Sequence, residues 1–162
     1  MTHASIRRAS EEDAQAVARL SATWGYDADE EVIRRRLRAI LLSDSDLMVV
    51  AVNPRGQVVG WLQAHAAHKV GSGFGVEIVG LVVDPEVRRQ GVGSRLVRQA
   101  EQWAGARSAE TIVVRSNVQR VESHHFYPAL GYARSKTQAV YQKPRRDYDH
   151  EPGAPPEDSS DG

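Results

Sequence analysis

The sequence predicts one mixed α/β domain, and three observations favour this fold class. The chain has 162 residues, of which 41% are hydrophobic and 26% charged, which suits a globular domain with a real core. Short apolar runs bounded by glycine, proline or asparagine are typical of strands, and they alternate with segments of helical periodicity. The strand–loop–helix–strand unit from Glu77 to Arg115 has the order of a parallel crossover.

The first part of the chain predicts a short strand and two helices. Residues Ser5–Arg8 form the strand, and Ser10 is a suitable cap for a helix whose first turn is acidic. A second helix ends near Ser43; its apolar stripe consists of Val32, Ile33, Leu37, Ile40 and Leu41. The loop "TWGYDADEE", Thr23–Glu31, joins the two helices.

The middle of the chain predicts a hairpin and a central strand. Strands at Leu47–Val52 and Val58–Ala66 flank the turn Asn53–Gly56, whose glycine can adopt a positive φ. A glycine-rich loop, "HKVGSGFG", follows. The next strand, Glu77–Val83, is apolar on both faces and is therefore expected in the middle of the sheet.

The last part predicts two more helices and three more strands. The helices are Gly91–Ala104 and Gln119–Leu130, and the second is stopped by a glycine in the C′ position. The strands are Thr111–Arg115, Gly131–Ala133 and Gln138–Gln142, which brings the expected sheet to about six or seven strands with about four helices. From residue 144 onward the chain is proline-rich and acidic, so we expect a domain over 1–143 and a disordered tail over 144–162.

Composition restricts the possible functions. The chain has no cysteine, which excludes a disulfide framework, a thiolate metal site and a cysteine nucleophile. No apolar run has the length of a membrane helix, and the N-terminus lacks the pattern of a signal peptide, so a cytoplasmic location without a membrane partner is expected. The small positive surplus outside the tail favours anionic ligands but is too weak to predict a nucleic-acid partner.

A basic glycine turn after the central strand predicts a phosphate or pyrophosphate site at about residues 88–94. Unpaired amides at a helix N-terminus attract anions, and glycines let the backbone approach a phosphate closely. A P-loop is excluded because Gly93 is followed by Ser94-Arg95 without a lysine. A dinucleotide fingerprint is excluded because Leu96 stands where it needs a third glycine, which leaves coenzyme A as the remaining class.

Two motifs carry a family resemblance. Arg88-Arg89-Gln90-Gly91-Val92-Gly93, within "LVVDPEVRRQGVGSRLV", is similar to the Arg/Gln-x-x-Gly-x-Gly/Ala motif of the GCN5-related N-acetyltransferases. Downstream, "VVRSNVQRVESHHFYPALGYARS" resembles that family's asparagine followed by a helix ending in Phe-Tyr-x-x-Leu-Gly-Phe/Tyr. The resemblance covers about Ser5 to Lys143 and implies a mostly antiparallel central sheet that splays between its fourth and fifth strands.

The resemblance also implies how acetyl-CoA, the co-substrate, is held. Its pantetheine arm would lie on the backbone of Leu81, Val82 and Val83. Its pyrophosphate would lie on the turn formed by Arg88, Arg89, Gln90, Gly91, Val92, Gly93 and Ser94. Asn117 matches a family position that hydrogen-bonds the CoA arm, and its alternative role is a helix-entry cap.

The implied reaction is direct attack of a primary amine on the thioester, with no covalent intermediate and no metal. Tyr127 matches the residue that in many members protonates the departing thiolate; alternatively it is the apolar end of a helix. Glu77 is the candidate base, acting directly or through water; alternatively it is a solvated charge at a strand end.

The acceptor implied is the amine of a small molecule or a peptide. Trp24 and Tyr26 beside the acids of "TWGYDADEE" could receive a cationic amine, but those acids also fit the capped first turn of the second helix. The neighbouring arginines 34, 35, 36 and 38 are predicted to form a solvated helix face. The downstream stretch also loosely resembles aminoglycoside and small-amine acetyltransferases.

Other functions remain open at this point. They are a non-catalytic acyl-CoA-binding or regulatory module, a protein N-terminal acetyltransferase, and an enzyme that uses a different acyl-CoA. Because members of the family often dimerise through C-terminal strands, a homodimer is also possible.

Overall fold

The computed structural model describes residues 3–115 and 121–148 of the chain. Within them lie one five-stranded sheet and four α-helices. The strands are β1 (Ser5–Arg8), β2 (Asp46–Val52), β3 (Val58–Lys69), β4 (Gly73–Val83) and β5 (Thr111–Val114). The helices are α1 (Ala14–Ala22), α2 (Glu30–Leu41), α3 (Val92–Ala106) and α4 (Val121–Ala129).

The sheet has the order β1-β2-β3-β4-β5, and only the β4–β5 pair is parallel. Helices α1 and α2 cover one face, where Leu20 and Leu37 pack with Val50 and Val82. Helix α3 covers the other face through its buried stripe, which includes Leu96. This arrangement confirms the predicted mixed α/β class and the mostly antiparallel sheet.

A β-bulge at Val79 changes the side-chain alternation of β4. Gln63 of β3 pairs with Gly80, whereas the next residue of β3 pairs with Ile78, so Val79 is the additional residue. As a result Ile78 lies in the core under α3, and Val82 lies in the core under α1 and α2. The bulge therefore turns the C-terminal half of β4 relative to its N-terminal half.

The parallel pairing between β4 and β5 is short. It joins Gly75–Ile78 with Thr111–Val114, and β4 then continues through Val79–Val83 without β5. In the described part of the chain, β5 ends where this pairing ends, so Val79–Val83 have no described strand on that side.

Three details differ from the sequence-based expectation. The predicted glycine-rich loop is largely strand, because β3 extends to Lys69 and β4 begins at Gly73. The two strands predicted at Gly131–Ala133 and Gln138–Gln142 are wrong: both segments are irregular. Their alternating pattern is a local property, whereas a strand forms only where a neighbouring edge accepts its hydrogen bonds.

The C-terminal boundary of the domain remains a prediction. A single 3₁₀ turn, Arg145–Asp147, is the last element that the structure describes, and residues 149–162 lie outside the described ranges. In the described part of the chain, no helix combines the length and apolarity needed to cross a bilayer.

Candidate active site

A cavity of about 1570 Å³ lies beside β4 at the point where its pairing with β5 ends. Its described walls come from β4, the start of α3, α4, and the α1–α2 loop together with α2. These elements are far apart along the chain, and the fold brings them together around the cavity. A cleft of this size accommodates two substrates side by side, since drug-sized ligands occupy roughly 300–1,000 Å³.

The backbone of Leu81–Val83 forms one wall of the cavity. These residues pair with β3 on one side, where Val82 lies opposite Trp61 and Val83 opposite Gly60. In the described part of the chain no strand pairs with their other side. The amide and carbonyl groups that point away from β3 are therefore available to an extended ligand, as at an open sheet edge.

The start of α3 forms an anion-binding wall. Gly91 caps the helix with a left-handed φ of 79°, and the first intrahelical bond runs from the Arg95 amide to the Gly91 carbonyl at 3.1 Å. The amides of residues 92–94 consequently have no acceptor within the helix, and they carry the positive end of its dipole. Arg89 also has a positive φ, of 65°, which is uncommon for a residue with a side chain.

Arg88 connects this turn to the α1–α2 loop and to α4. Its guanidinium lies 4.8 Å from the ring centroid of Trp24 and 3.2 Å from the carboxylate of Glu122 in α4. Cation–π contact and ion pairing thus hold the turn against both the α1–α2 loop and α4. Gln90 is exposed and is not among the described residues that line the cavity.

Helix α4 brings Phe126 and Tyr127 to the cavity. A Cβ atom at Gly93 would lie 3.1 Å from the ring of Phe126, so this glycine allows α4 to pack against the start of α3. The Tyr127 ring lies 5.0 Å from that of Phe126 and 6.0 Å from that of Tyr132, edge-on in both cases. Tyr127 is half-buried and lines the cavity.

The end of α4 is held by a Schellman motif, as the Leu-Gly sequence predicts. The Tyr132 amide donates to the Tyr127 carbonyl at 3.1 Å, and the Gly131 amide donates to the Pro128 carbonyl at 3.0 Å. Gly131 has the required positive φ, of 91°. Burial and the neighbouring carboxylate of Glu101 raise the pKa of Tyr132 to about 12, so its hydroxyl stays protonated.

Glu77 lies in the middle of β4 rather than at its start. It is opposite His65 of β3 and Val113 of β5, where the two parallel strands still pair. Its carboxylate forms an ion pair with Arg115 at 2.6 Å, and Arg115 is a cavity-lining residue whereas Glu77 is not among those described. Asn117 lies outside the described residues.

The acids of the α1–α2 loop divide into two groups. Asp29 caps α2 by accepting a hydrogen bond from the Val32 amide at 2.8 Å, and Glu30 pairs with Arg34 at 2.8 Å. These contacts confirm the interpretation of a capped first turn. Asp27, however, lines the cavity together with Trp24 and Tyr26.

Several cavity residues were not identified from the sequence. Trp61 and Gln63 of β3 line the cavity, as do Met48 of β2 and Arg36 of α2. The spacing of Trp61 and Gln63 places them on one face of a strand, but only the pairing with β4 shows that this face borders the cavity. Arg35, Arg36 and Arg38 are exposed, as predicted for a solvated face, and Arg36 in addition lies at the border of the cavity.

In residues 3–115 and 121–148, no group of three or more histidine or acidic side chains is arranged to hold a metal ion. The described polar groups at the cavity include backbone amides, four arginine side chains, two tyrosines and two carboxylates. Such a set is suited to binding an anionic ligand and to moving protons.

Comparison with known proteins identifies related sequences. A model of the family described as "Acetyltransferase (GNAT) family" matches residues 11–132. An aminoalkylphosphonate N-acetyltransferase of Salmonella typhimurium is 32% identical over 132 residues, which cover 80% of this chain and 85% of that protein. An aminoglycoside N(6′)-acetyltransferase type 1 of Serratia marcescens is 24% identical over 127 residues, which cover 76% and 86%.

Solved structures share the fold. A structure described as a transcriptional regulator from Bacillus halodurans C-125 has a TM-score of 0.80 at 25% identity, and the match covers 87% of this chain and all of that one, 100%. An aminoglycoside N-acetyltransferase, AAC(6′)-Iy, solved in complex with CoA, has a TM-score of 0.79 at 19% identity, with coverage of 88% and 96%.

Proposed function

The chain belongs to the acetyltransferase (GNAT) family, and from this premise we propose how its active site holds donor and acceptor. The protein is an N-acetyltransferase that uses acetyl-CoA as co-substrate and transfers the acetyl group to an amine. One observation supports the proposed arrangement above all: the edge of β4 that has no partner among the described residues and the amide-rich start of α3 border the same cavity.

The donor lies along β4 and ends at α3. The pyrophosphate accepts hydrogen bonds from the amides around Gly91–Ser94, and Arg88 and Arg89 add positive charge. The pantetheine arm extends along the free edge of Leu81–Val83 in the manner of an added strand. Gln90 and Asn117 remain predicted contacts of the coenzyme.

The chemistry needs few protein groups. Acetyl-CoA supplies an activated thioester carbonyl, which a neutral amine attacks directly. A free β4 amide donates a hydrogen bond to the thioester oxygen as that oxygen gains negative charge. Tyr127 donates its hydroxyl proton to the departing sulfur, and the attacking nitrogen loses a proton, so the products are an amide and CoA with a free thiol.

Glu77 takes up the proton of the amine through water rather than by direct contact. Two observations support this route: its carboxylate is engaged by Arg115, and the cavity wall begins at the next residue, Ile78. Arg115 at the cavity wall then holds the carboxylate in place.

The acceptor is a small-molecule amine. The relatives named above act on aminoalkylphosphonates and aminoglycosides, both of which are small molecules with primary amines. The cavity is also bordered on its acceptor side by the α1–α2 loop with Trp24 and Tyr26. A peptide N-terminus remains the alternative acceptor.

Release of the free thiol of CoA, measured across a panel of amines and peptides, tests this function. We expect thiol release with at least one small amine and acetylated product by mass spectrometry, with acetyl-CoA preferred over propionyl- and succinyl-CoA. Thiol release with peptides alone would favour the protein N-terminal acetyltransferase. CoA binding without release for every acceptor would favour a non-catalytic acyl-CoA-binding module.

We also infer a homodimer and a cytoplasmic location. Residues 133–143 are exposed, and among them Val140 is 81% and Tyr141 93% exposed. The strand β5 is the last strand of the described sheet. Apolar side chains of this kind on an extended segment are suited to pairing with a second copy. Light scattering gives the mass directly, and a monomer at micromolar concentration would contradict the dimer.

The inferred cytoplasmic location agrees with the use of acetyl-CoA, a co-substrate that is made inside cells.

A further inference from the structure

We propose that Arg36 of α2 selects acceptor amines that carry an anionic group, a phosphonate or a carboxylate, by binding that group at the wall of the cavity opposite the coenzyme. This inference rests on the proposed function, because it assigns the acceptor to the part of the cavity that α2 and the α1–α2 loop border.

The position of Arg36 on α2 follows from helical spacing. Ile33, Arg36, Leu37 and Ile40 all line the cavity, and their separations of three, four and seven residues place them on one face of the helix. Arg36 is exposed and lies at the border of the cavity, on the helix face that also carries these apolar side chains.

The other arginines of this helix have different partners. Arg34 forms ion pairs with Glu30 and Glu31 at 2.8 and 3.8 Å, and Arg38 forms an ion pair with Glu11. Among the described residues, Arg36 takes part in no hydrogen bond or ion pair. An unpaired guanidinium beside apolar surface is well suited to bind phosphonate or carboxylate oxygens through two parallel hydrogen bonds.

The charges around the cavity support a bipolar acceptor. Four arginines line it, at positions 36, 88, 89 and 115, against two described carboxylates, Asp27 and Glu122. Glu122 is paired with Arg88, and Arg115 is paired with Glu77. Because Arg88 and Arg89 lie at the phosphate-binding turn, Arg36 and Asp27 are the remaining charges for the acceptor.

Within the described lining, this one cation and one carboxylate match a molecule with one ammonium and one anionic group. Asp27 would attract the ammonium form on entry, and Arg36 would hold the opposite end of the molecule. A polycationic aminoglycoside, by contrast, requires several unpaired carboxylates, and the described lining provides one. Arg36 makes no contact with the reacting atoms in this assignment, so it determines which amine binds and not the rate of the chemical step.

Acetylation kinetics with four amines test this assignment. The amines are 2-aminoethylphosphonate, β-alanine, propylamine as a match of similar length without an anion, and neamine as a polycation. We expect the wild-type protein to have a higher kcat/KM for the two anionic amines than for propylamine or neamine. Comparison of kcat/KM for 2-aminoethylphosphonate and β-alanine shows whether a phosphonate or a carboxylate is preferred.

Variants then assign the preference to Arg36. Arg36→Ala is expected to raise KM for the preferred anionic amine about 10- to 100-fold with little change in kcat, the loss of one charge-assisted bidentate contact. It should leave the kinetics with propylamine unchanged, and Arg36→Lys should restore part of the loss. Arg35→Ala is the matched control, because Arg35 is exposed on the same helix and is not among the residues that line the cavity.

The outcomes separate this inference from the proposed function. Equal kcat/KM for anionic amines and propylamine, or a preference for neamine, overturns the assignment of Arg36 and leaves the proposed acetyl transfer to small amines intact. An equal loss for propylamine and the anionic amines in Arg36→Ala would mean a structural role and also overturns it. Absence of acetylation for all four amines counts against both the small-molecule acceptor and this inference.

Discussion

Gly91 and Gly93 are separated by one residue but meet different physical needs. Gly91 has a φ of 79° and no neighbouring atom within 4 Å of a hypothetical Cβ, so backbone conformation is the reason for glycine there. Gly93 has no positive φ, but a Cβ would lie 3.1 Å from the Phe126 ring. The first glycine shapes the anion-binding turn, and the second permits the contact that positions α4.

Tyr127→Phe removes a single hydroxyl group and thereby tests the proposed role of Tyr127 as general acid. Removal of the hydroxyl is expected to lower kcat by about 100-fold, a typical contribution of a positioned general acid, while the KM for acetyl-CoA stays similar. Steady-state thiol release measures both constants. Tyr132→Phe is the control: its hydroxyl lies 3.4 Å from Glu101, and Tyr132 is not among the cavity-lining residues. Similar kcat values in Tyr127→Phe and the wild type would contradict the assignment.

Asp13 is expected to make stability depend on pH in the acidic range. Burial acts to raise its pKa, but hydrogen bonds from Arg7 and from the backbone of Ser10, with the charge of Arg7, outweigh it, so the pKa is lowered from its usual 3.8. Because the folded state has the lower pKa, this carboxylate stabilises the protein at pH values well above 3.8, and the stabilisation is lost as the pH falls through the folded pKa, which lies below 3.8.

Asp13→Asn should therefore destabilise the protein more at pH 7 than in acid. Loss of the charged hydrogen bonds from Arg7, both 2.8 Å long, is expected to lower the free energy of unfolding by about 2 kcal/mol at neutral pH. Urea unfolding at pH 7 and pH 3 measures the difference, which should shrink at pH 3. Asp44→Asn, at an exposed position, is the control. A difference independent of pH would refute the expectation.

At the scale of elements, the bulge in β4 and the ring of Trp61 act together. A Cβ at Gly80 would lie 2.5 and 2.7 Å from atoms of the Trp61 ring, so the indole lies directly over the backbone next to the bulge. This contact forms part of the wall between the sheet and the α1–α2 side of the cavity. Local backbone geometry in β4 thus determines the shape of the acceptor side.

Gly80→Ala is expected to lower the free energy of unfolding by about 2 kcal/mol, because the large indole must shift within a packed layer. It should also raise KM for the acceptor more than KM for acetyl-CoA. Thermal or urea unfolding together with initial rates measures these effects. Gly105→Ala in α3 is the control, since a Cβ there has no neighbour within 4 Å and should stabilise the helix by about 0.5–1 kcal/mol. Unchanged stability in Gly80→Ala would argue against the close contact.

At the scale of the whole molecule, the short β4–β5 pairing leaves Val79–Val83 without a neighbouring strand on one side among the residues that the structure describes. A ligand that extends along this edge replaces missing strand contacts and connects β4 to α3 and α4. Binding of CoA is therefore expected to stabilise the entire domain and not only the turn at Gly91.

Thermal unfolding with and without CoA tests this expectation. CoA at about 100 times its dissociation constant should contribute about 2.7 kcal/mol, which for a domain of this size corresponds to a rise in Tm of about 5–10 °C. Gly91→Ala should reduce the rise, because a left-handed φ is costly for alanine and the turn that holds the phosphates distorts. An unchanged Tm at saturating CoA would contradict the proposed donor site.

The part of the site that was predictable is contiguous in the chain. The conformations of Gly91 and Gly131, the free amides at the start of α3, and the end of α4 at Leu-Gly all follow from residues within a few positions of one another. Local backbone preferences and helix-end hydrogen bonds act over that distance, so their pattern is visible in the sequence.

By itself, the sequence determined the mixed α/β class, the anion-binding turn and the family's donor motif. Only the tertiary structure decided which side chains form the acceptor wall, that Glu77 is engaged by Arg115, and that the segments predicted as the last two strands stay unpaired. Arg36 and Trp61 illustrate the reason: a helix face or strand face has a period that sequence reveals, but its partner is chosen by packing between elements distant in the chain.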